Sequence, residues 1–348
     1  MILSDLIELL KGLVAIPSIS RQETAAADYL QQWLLRKGFH PERRANNLWL
    51  DSDPNSDKPV LLLNAHIDTV KPAPSYTRDP FAAQEEDGRI YGLGTNDDGA
   101  SLVALLSAYE KLAAKPQPYH LIWSATAEEE VSGTEGLEKI LPEIGPVKLG
   151  IVGEPTQMKM AVAERGLIVL DCTAHGVSGH AARGEGVNAI SQAIKDIEWF
   201  NSYDFDRRSD HLGPVRMSVT MISAGTQHNV VPDECKFVVD VRPNGMYTNE
   251  EILETIRQSV GCDVKPRSMR HGSSFIADDN PVVLRGCGLG LESFGSPTTS
   301  NQTLMNFDTL KIGPGDSSRS HSADEYIEIE EIRQGIETYV KLLDNLEI

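Results

Sequence analysis

The residues of this chain with the clearest capacity for chemistry lie in four segments, each directly after an apolar run. The segment NAHIDT contains His66 and Asp68, at the spacing by which a carboxylate can orient a metal-bound histidine. The segment SATAEEEVS contains three consecutive glutamates, and two later segments contribute Glu154 and His321. Imidazole nitrogens and carboxylate oxygens together suit zinc, cobalt or manganese better than copper or an iron–sulfur cluster. These residues indicate a metal site.

Each of these residues also has an ordinary structural interpretation. His66 could be a capped strand-end histidine, Glu154 a turn residue, and the three glutamates a solvated turn. Asp97 and Asp98 could simply cap the helix that follows them. Their joint position favours a site, because the carboxyl ends of strands in an open α/β sheet share one edge, where ligands bind.

The mutual repulsion of adjacent carboxylates also fits a metal site. One carboxylate that bridges two divalent ions about 3.5–4 Å apart would form a co-catalytic pair. The charge of two such ions would largely offset three carboxylates and a hydroxide. Such a pair of ions would make the adjacent carboxylates tolerable.

The segments that position these residues alternate between strand and helix patterns. This alternation predicts an α/β domain with a central, mostly parallel sheet flanked by helices. An amphipathic helix is expected at the N-terminus, and Thr24 is a candidate N-cap. The expected strands are 60–63, 121–127, 149–152 and 310–312, and the expected helices include 24–37, 100–113 and one from about 330.

The pattern changes between residues 165 and 277, where longer strands alternate partly between apolar and polar residues. Strands are expected at 167–174, 215–223 and 234–241, with helices near 187–200 and 248–259. We therefore predict a catalytic domain formed by residues 1–164 and 278–348. A smaller α+β domain at 165–277 would interrupt it.

The composition argues against several classes of partner. Lys and Arg total 32 against 51 Asp and Glu, a net charge of −19, whereas nucleic acids and anionic membranes require a basic face. The four cysteines form no CxxC pair, which argues against a thiolate zinc site. The N-terminus lacks a cationic start, and no apolar run is long enough to cross a membrane. We expect a cytoplasmic protein without a nucleic-acid or membrane partner.

The ordered set of motifs resembles the zinc-dependent deacylase and peptidase family that contains acetylornithine deacetylase and succinyl-diaminopimelate desuccinylase. The resemblance covers essentially the whole chain, and each motif alone is a weak signal. The matching segments are NAHIDTV, YGLGTNDDGA, SATAEEEVSG, IVGEPT, GVSGHAA, GTQHNVVPDE with DVRP, and GDSSRSHSADEYI.

The resemblance implies a role for each residue of the metal site. It implies that the two ions are zinc, with cobalt as the alternative. Glu129 would be the general base, and Asp68 would orient His66. The implied ligands are His66, Asp97 and Glu154 for one ion, and Glu130 and His321 for the other, with Asp97 bridging the two ions.

The resemblance also assigns roles to three residues of the inserted domain, which would act as a lid and dimerisation domain. His180 and Asn229 would approach the scissile carbonyl, and Arg242 would bind the substrate's α-carboxylate through its planar fork of donors. In related dimers this histidine comes from the neighbouring subunit. We therefore expect a homodimer through residues 165–277. Without the resemblance, His180 would be interpreted as a turn residue and Arg242 as a surface strand arginine.

The implied activity is metal-dependent hydrolysis of a linear amide. The loop from Asp316 to His321 and the variant NDDGA look closest to a branch that removes an acetyl, or a succinyl, group from ornithine or citrulline in arginine biosynthesis. A succinyl-diaminopimelate desuccinylase and a metallo-dipeptidase are the alternatives within the family. A binding module without activity is disfavoured, because no implied ligand or base is missing. The absence of a GxSxG motif disfavours a serine hydrolase.

Overall fold

The computed structural model describes every residue from Met1 to Ile348 and divides into two compact units. The first unit comprises Met1–Val162, Ile276–Phe294 and Ser300–Ile348. The second unit comprises Ala163–Phe275 and Gly295–Thr299. The sequence analysis had assigned this last short segment to the other domain.

The chain contains eight α-helices and eighteen strands, some only two or three residues long. The helices are α1 Leu3–Val14, α2 Thr24–Arg36, α3 Ala100–Ala113, α4 Leu137–Ile144, α5 Ala189–Ser202, α6 Asn249–Ser259, α7 Pro281–Gly288 and α8 Ile329–Leu343. The strands are β1 Glu42–Arg44, β2 Asn47–Asp51, β3 Val60–His66, β4 Gln84–Glu86, β5 Arg89–Tyr91, β6 His120–Thr126, β7 Val147–Val152, β8 Met160–Glu164, β9 Ile168–His175, β10 Gly179–His180, β11 Arg216–Ala224, β12 Val230–Val231, β13 Glu234–Arg242, β14 Asp263–Pro266, β15 Ser274–Phe275, β16 Ser293–Ser296, β17 Asp308–Lys311 and β18 Tyr326–Glu328.

The first unit is built on a mostly parallel sheet in the order β1-β2-β6-β3-β7-β17, followed by the start of β8. The inner pairs β3–β6, β3–β7 and β17–β7 are parallel, whereas β1, β2 and β8 add antiparallel pairs at the two sides. Strands buried on both faces read as continuous apolar runs, which explains why β3 begins with VLLL. The predicted α/β fold class is confirmed.

Both faces of this sheet are covered by apolar side chains. Leu61 and Leu63 of β3 belong to a core shared with α1, α2, α3 and α8, whereas Val60 and Leu62 pack in a smaller core with α4. This alternation follows from the period of two residues in a strand. The Tyr339 hydroxyl on α8 donates a hydrogen bond to the carbonyl oxygen of Ile312, which ties the last helix to the end of β17.

The second unit contains an antiparallel sheet in the order β11-β13-β9-β14, with α5 and α6 in its core. Alternate residues of β13 are buried, and they include Phe237, Val239 and Val241. The residues between them, such as Asp240 and Arg242, lie on the opposite face and are only half-buried. A short ribbon of β10 and β12 completes the unit.

The structure differs from the sequence-based expectations in a few elements. Helix α2 begins at Thr24, so this residue is not the N-cap; that position belongs to Glu23, which makes no side-chain capping bond. The antiparallel strands β1, β2 and β8 were not predicted, because their short mixed segments lack a clear period. None of the helices has the length and apolarity that crossing a membrane requires.

Candidate metal centre and active site

The four chemically interesting segments all leave one edge of the parallel sheet. His66 is the last residue of β3, and it lies opposite Thr126, the last residue of β6. The three glutamates therefore begin beside His66, while Glu154 follows the end of the neighbouring strand β7. The loop after β17 carries His321. Parallel register thus gathers residues that are distant in sequence.

A buried polar network fixes the strands just beneath this edge. The Asn64 amide donates to the Ser124 and Thr126 hydroxyl oxygens at 3.0 and 3.1 Å. The Asn301 side-chain Nδ2 donates to Asn64 Oδ1 at 3.0 Å and to the Thr126 hydroxyl oxygen at 3.1 Å. All four residues are buried. Since buried polar groups that lose a partner are costly, this network favours one register of β3 and β6.

His66 is the centre of the cluster and is 2% exposed. Its Nδ1 lies 2.9 Å from the Asp68 carbonyl oxygen and 3.5 Å from the Asp68 carboxylate. Its Nε2 lies 3.1 Å from Asp97 Oδ1 and 4.0 Å from Glu129 Oε2. Burial opposes protonation of the ring, but the hydrogen bonds with Asp68 and Asp97 outweigh it and raise the pKa of His66 well above its usual value.

The Asp68 carboxylate holds the backbone of the glutamate segment. Its two oxygens accept hydrogen bonds from the backbone N–H groups of Glu129 and Glu130 at 3.0 and 3.1 Å. The Ser20 hydroxyl donates to the same carboxylate at 2.7 Å. Asp68 therefore fixes the direction in which the two glutamate side chains leave the one-turn helix that contains them.

Asp97 lies between the two histidines. Its Oδ1 is 3.1 Å from His66 Nε2, and its Oδ2 is 3.7 Å from His321 Nε2. The residue belongs to an irregular turn before α3, and the peptide bond between Asp97 and Asp98 is cis. Neither aspartate caps α3, whose N-cap is Gly99 without a side-chain bond. This disfavours the simple capping interpretation.

Glu130 and His321 form a second contact pair on the other side of Asp97. The His321 Nε2 lies 2.9 Å from a carboxylate oxygen of Glu130. The hydrogen bond with Glu130 raises the pKa of His321 to about 9, against the opposing effect of partial burial. The His321 side chain is 55% exposed, so this side of the cluster is open.

The donor atoms of two overlapping triads lie within 4.8 Å of one another: His66, Asp97 and Glu130 in one, and His66, Glu129 and Glu154 in the other. Ligand atoms that share one zinc ion, each about 2.0–2.2 Å from it, are at most about 4.4 Å apart. The donors therefore lie close to the spacing that one ion requires, and their chemistry suits divalent ions. These triads share residues with the implied ligand sets but group them differently.

The cluster has an excess of negative charge that a cation would relieve. Burial raises the pKa of Glu129 well above its usual value, and the charges of Glu130, Asp68 and Asp97 add to this effect. Burial also raises the pKa of Glu154, together with the charges of Asp97 and Glu129. Like charges in a buried site disfavour ionisation unless a positive charge compensates them. Divalent ions supply such compensation.

Two further buried carboxylates, Glu325 and Asp98, support this site, and the sequence predicted a supporting role for neither. Glu325 is 1% exposed and accepts hydrogen bonds from the backbone N–H groups of Asn96 and Asp97 at 2.9 and 3.0 Å. Asp98 is also 1% exposed and accepts from the His66 backbone N–H at 3.3 Å. Both support the positions of residues that could hold metal. The only sequence signal for them was their place inside the motifs ADEY and NDDGA.

In the second unit, the structure brings His180 next to Asn229. His180 pairs with Val230 across β10 and β12, and the backbone N–H of Ala181 donates to the Asn229 carbonyl oxygen at 3.1 Å. The exposed imidazole accepts a hydrogen bond from the Ala182 N–H through Nδ1, which leaves Nε2 available to solvent. Two residues 49 positions apart thus form one exposed polar surface.

Arg242 is the last residue of β13 and is half-buried. Its Nε and Nη2 donate to the two carboxylate oxygens of Asp240 at 2.7 and 3.0 Å, and its Nη1 donates to the Thr299 hydroxyl at 2.9 Å. This bidentate contact shows that the guanidinium fork is oriented for a planar carboxylate. The partner in the structure is a neighbouring side chain.

A family model matches residues 62–345, which is most of the chain. The chain belongs to peptidase family M20/M25/M40. Among curated M20 relatives, it is 24% identical over 377 residues to a succinyl-diaminopimelate desuccinylase of Parvibaculum lavamentivorans, with 97% of this chain and 95% of the relative covered. It is 28% identical over 354 residues to an acetylornithine deacetylase of Myxococcus xanthus, with 93% and 92% covered.

Solved M20-type structures share the fold over nearly their full length. The aminopeptidase PepT from Bacillus cereus matches with a TM-score of 0.79 and 21% identity, with 99% of both chains covered. A dinuclear metal-binding peptidase of the M20 family from Bacillus subtilis matches with a TM-score of 0.73 and 15% identity, with 98% and 97% covered. The chain is therefore an M20 hydrolase of amide bonds, and the resemblance noted from the motifs is confirmed.

Proposed function

We propose that this M20 protein removes an N-acyl group from ornithine or citrulline with the help of two divalent ions. The observation that carries the proposal is the joint position of His66, Asp97, Glu130, Glu154 and His321 around one edge of the sheet, with Glu129 beside them. The relatives named as a desuccinylase and a deacetylase support the reaction class.

The ligand assignment follows the donor chemistry of the cluster. His66, Asp97 and Glu154 would hold one ion, Glu130 and His321 would hold the other, and the position of Asp97 between both histidines suits a bridge. When bound, divalent ions would polarise the scissile carbonyl and lower the pKa of the attacking water. Zinc suits the mixed nitrogen and oxygen donors, and cobalt could replace it.

Glu129 would move the proton. Its carboxylate lies beside His66, and its backbone is fixed by the bond to Asp68. A carboxylate in this position could take a proton from the attacking water and return it to the leaving amine. Asp68 would orient both His66 and the glutamate segment.

Residues of the second unit would recognise the substrate. Arg242 would bind the α-carboxylate, exchanging its bidentate contact with Asp240 for one with substrate. His180 and Asn229 would stabilise negative charge on the carbonyl oxygen as the amide is attacked. The free Nε2 of His180 and its position beside Asn229 support this role.

We further propose a cytoplasmic homodimer formed through the second unit. Its strand β11 lies at the edge of the sheet and carries exposed Met221 and Ile222, which are 64% and 57% exposed. An apolar edge strand is a ready template for pairing with another chain. In such a dimer His180 would act on the substrate of the neighbouring subunit.

A desuccinylase for diaminopimelate, or a metallo-dipeptidase, is the alternative within the same chemistry, and the desuccinylase relative supports it as well. The deciding experiment is a hydrolysis panel with acetyl- and succinyl-ornithine, -citrulline and -diaminopimelate and with free dipeptides. The enzyme should be stripped of metal and reloaded with zinc or cobalt. We expect cleavage of the acylated ornithine or citrulline, and none before reloading. Turnover by thoroughly metal-free protein would rule out the metal-dependent mechanism.

A further inference from the structure

Two arginines of the second unit lie directly opposite each other on neighbouring strands. The register of β11 and β13 pairs Arg216 with Arg242. Residues opposite in an antiparallel pair project to the same face with their Cβ atoms about 4.5–5.5 Å apart, and like charges in these positions destabilise the sheet. Arg216 is exposed, and its side chain makes no hydrogen bond or ion pair. The repulsion between Arg216 and Arg242 is therefore not relieved by any side-chain contact that Arg216 makes within the chain.

A third guanidinium fixes the backbone beneath this pair. Arg165 is 4% exposed and donates hydrogen bonds to the carbonyl oxygens of Pro214 at 2.8 Å and of Arg242 at 3.2 Å. Burial, followed by the charges of Arg216 and Arg242, lowers the pKa of Arg165. Its hydrogen bonds therefore fix the backbone at Arg242 and at Pro214, which lies two positions before Arg216. The exposed fork of Arg216 and the half-buried fork of Arg242 are therefore presented from a fixed backbone.

The local charge is positive although the whole chain is strongly negative. Asp240 is bound to Arg242 through two oxygens, so it offsets one of the three guanidinium charges. Asp171, on the neighbouring strand β9, is paired with Arg267. A site with positive charge to spare, in a chain of net charge −19, attracts an anion that other surfaces of the protein repel.

We propose that Arg216 binds a second carboxylate of the substrate while Arg242 binds the first. This inference rests on the proposed deacylase function and extends it, because it makes the preferred substrate a small amide with two carboxylates. A succinyl group ends in such a carboxylate, whereas an acetyl group ends in a methyl. An acidic amino acid would bring the second carboxylate from the amine side, so N-acyl-glutamate shares the same chemistry.

The test compares one monocarboxylate with two dicarboxylates. N-acetyl-ornithine, N-succinyl-ornithine and N-acetyl-glutamate are hydrolysed by wild type, Arg216→Gln and Arg216→Lys. We expect wild type to prefer a dicarboxylate by about 10-fold or more, since a hydrogen bond to a charged group contributes a factor of about 10 to 100. Arg216→Gln should lose that factor, mainly through KM, and change N-acetyl-ornithine by less than about 2-fold. Arg216→Lys should recover part of the loss.

Arg36→Gln is the matched control, because Arg36 is an exposed arginine of the first unit whose side chain makes no hydrogen bond or ion pair. It removes the same charge from the chain and should leave the preference unchanged. Faster hydrolysis of N-succinyl-ornithine would show that the second carboxylate comes from the acyl group. Faster hydrolysis of N-acetyl-glutamate would show that it comes from the amino acid. An equal effect of Arg216→Gln on all three substrates, or a wild-type preference for N-acetyl-ornithine, would overturn the inference and leave the deacylase function standing.

A binding measurement separates the inference from the proposed activity. Succinate and acetate are titrated calorimetrically into metal-free protein, for wild type and for Arg216→Gln. We expect succinate to bind wild type more tightly than acetate, and the variant to lose this difference. Loss of the difference would support the second carboxylate site even if no amide in the panel were cleaved. Identical succinate binding by both proteins would count against the site.

Discussion

Three neighbouring glutamates have different surroundings in this protein. Glu129 lies beside His66, Glu130 contacts His321, and Glu128 accepts a hydrogen bond from the Glu135 backbone N–H. Successive residues of this tight turn point in different directions, so each carboxylate contacts a different partner. The run of like charges is therefore three separate contacts.

These contacts predict distinct losses on substitution. Glu129→Gln should retain metal but reduce kcat by about 10²–10⁴-fold, because the amide cannot accept the proton. Glu130→Gln should instead weaken the binding of one ion. Metal content and steady-state rates distinguish the two, and Glu128→Gln is the control that should change both least. Metal loss in Glu129→Gln, with full metal in Glu130→Gln, would mean that the roles are exchanged.

Arg242 offers a test at the same scale. Arg242→Lys should lower kcat/KM for an N-acyl amino acid by about 10-fold or more, because the planar fork is lost although the charge remains. Substrates with an amidated α-carboxyl should already be poor and should change little. Thr299→Ala removes one hydrogen bond to the same guanidinium and serves as a milder comparison. Equal losses for both substrate types would indicate a structural role.

The site residues were predictable where strand position decided them. His66, Glu154 and His321 follow strand ends, so sequence order and the sheet rule were enough to bring them together. Glu325 and Ser20 were not predictable in this way. Their value lies in buried hydrogen bonds to Asp97 and Asp68, which exist only once distant segments have packed.

At the scale of elements, the loop after β17 positions His321 through a few tight contacts. Asn96 accepts a hydrogen bond from the Asp316 N–H at 2.9 Å and donates to the Asp316 carbonyl oxygen at 3.1 Å. Gly315 precedes Asp316 and has φ +89°. A Cβ at this position would lie 2.4 Å from the side-chain Oδ1 of Asn96. The loop therefore requires glycine for conformation and for space.

Gly315→Ala should accordingly weaken binding of the ion held by His321 and lower the free energy of unfolding. The positive φ alone costs roughly 1–2 kcal/mol for an L-residue. Gly290→Ala is a matched control, because Gly290 has φ +82° and no atom within 4 Å of an added Cβ. Both variants should lose stability in urea unfolding, but only Gly315→Ala should lose metal affinity. Equal metal affinity in both would show that the loop tolerates the contact.

The regular elements were more predictable than the edges. Clear hydrophobic patterns predicted the bounds of α3, α6 and the inner strands to within a few residues. Strands β1 and β2 lie at one side of the sheet, and their pairing depends on neighbours such as β6 rather than on a pattern of their own. Edge pairing is a tertiary property, so a local reading of the sequence misses it.

At the scale of the whole molecule, action of His180 across a dimer predicts complementation. His180→Ala and Glu129→Gln chains should each be nearly inactive, yet a verified heterodimer should regain activity, because one hybrid site keeps both residues. Light scattering confirms assembly, and differential tags isolate the mixed species. A heterodimer no more active than either parent would indicate that His180 acts within its own chain.

The edge strand provides the second whole-molecule test. Met221→Lys with Ile222→Lys places two charges on exposed positions of β11, which should disfavour pairing of this edge. We expect a monomer with normal metal content and reduced turnover, measured by light scattering, metal analysis and rates. Lys substitutions at Leu284 and Leu289, which are 57% and 43% exposed in the first unit, provide the control. An intact dimer in the β11 variant would exclude this strand as the interface.

The discontinuity of the first unit has a consequence for the making of the protein on the ribosome. The inner strand β17 and the proposed ligand His321 are translated only after the whole continuous part of the second unit, whereas β3, β6 and β7 come before it. The ribosome adds about 5–20 residues per second, and domains generally fold as units as they emerge. The second unit can thus be complete while the sheet of the first unit still has an open apolar strand, β7. Chaperone capture is expected in that interval, and metal capture follows once His321 has left the exit tunnel.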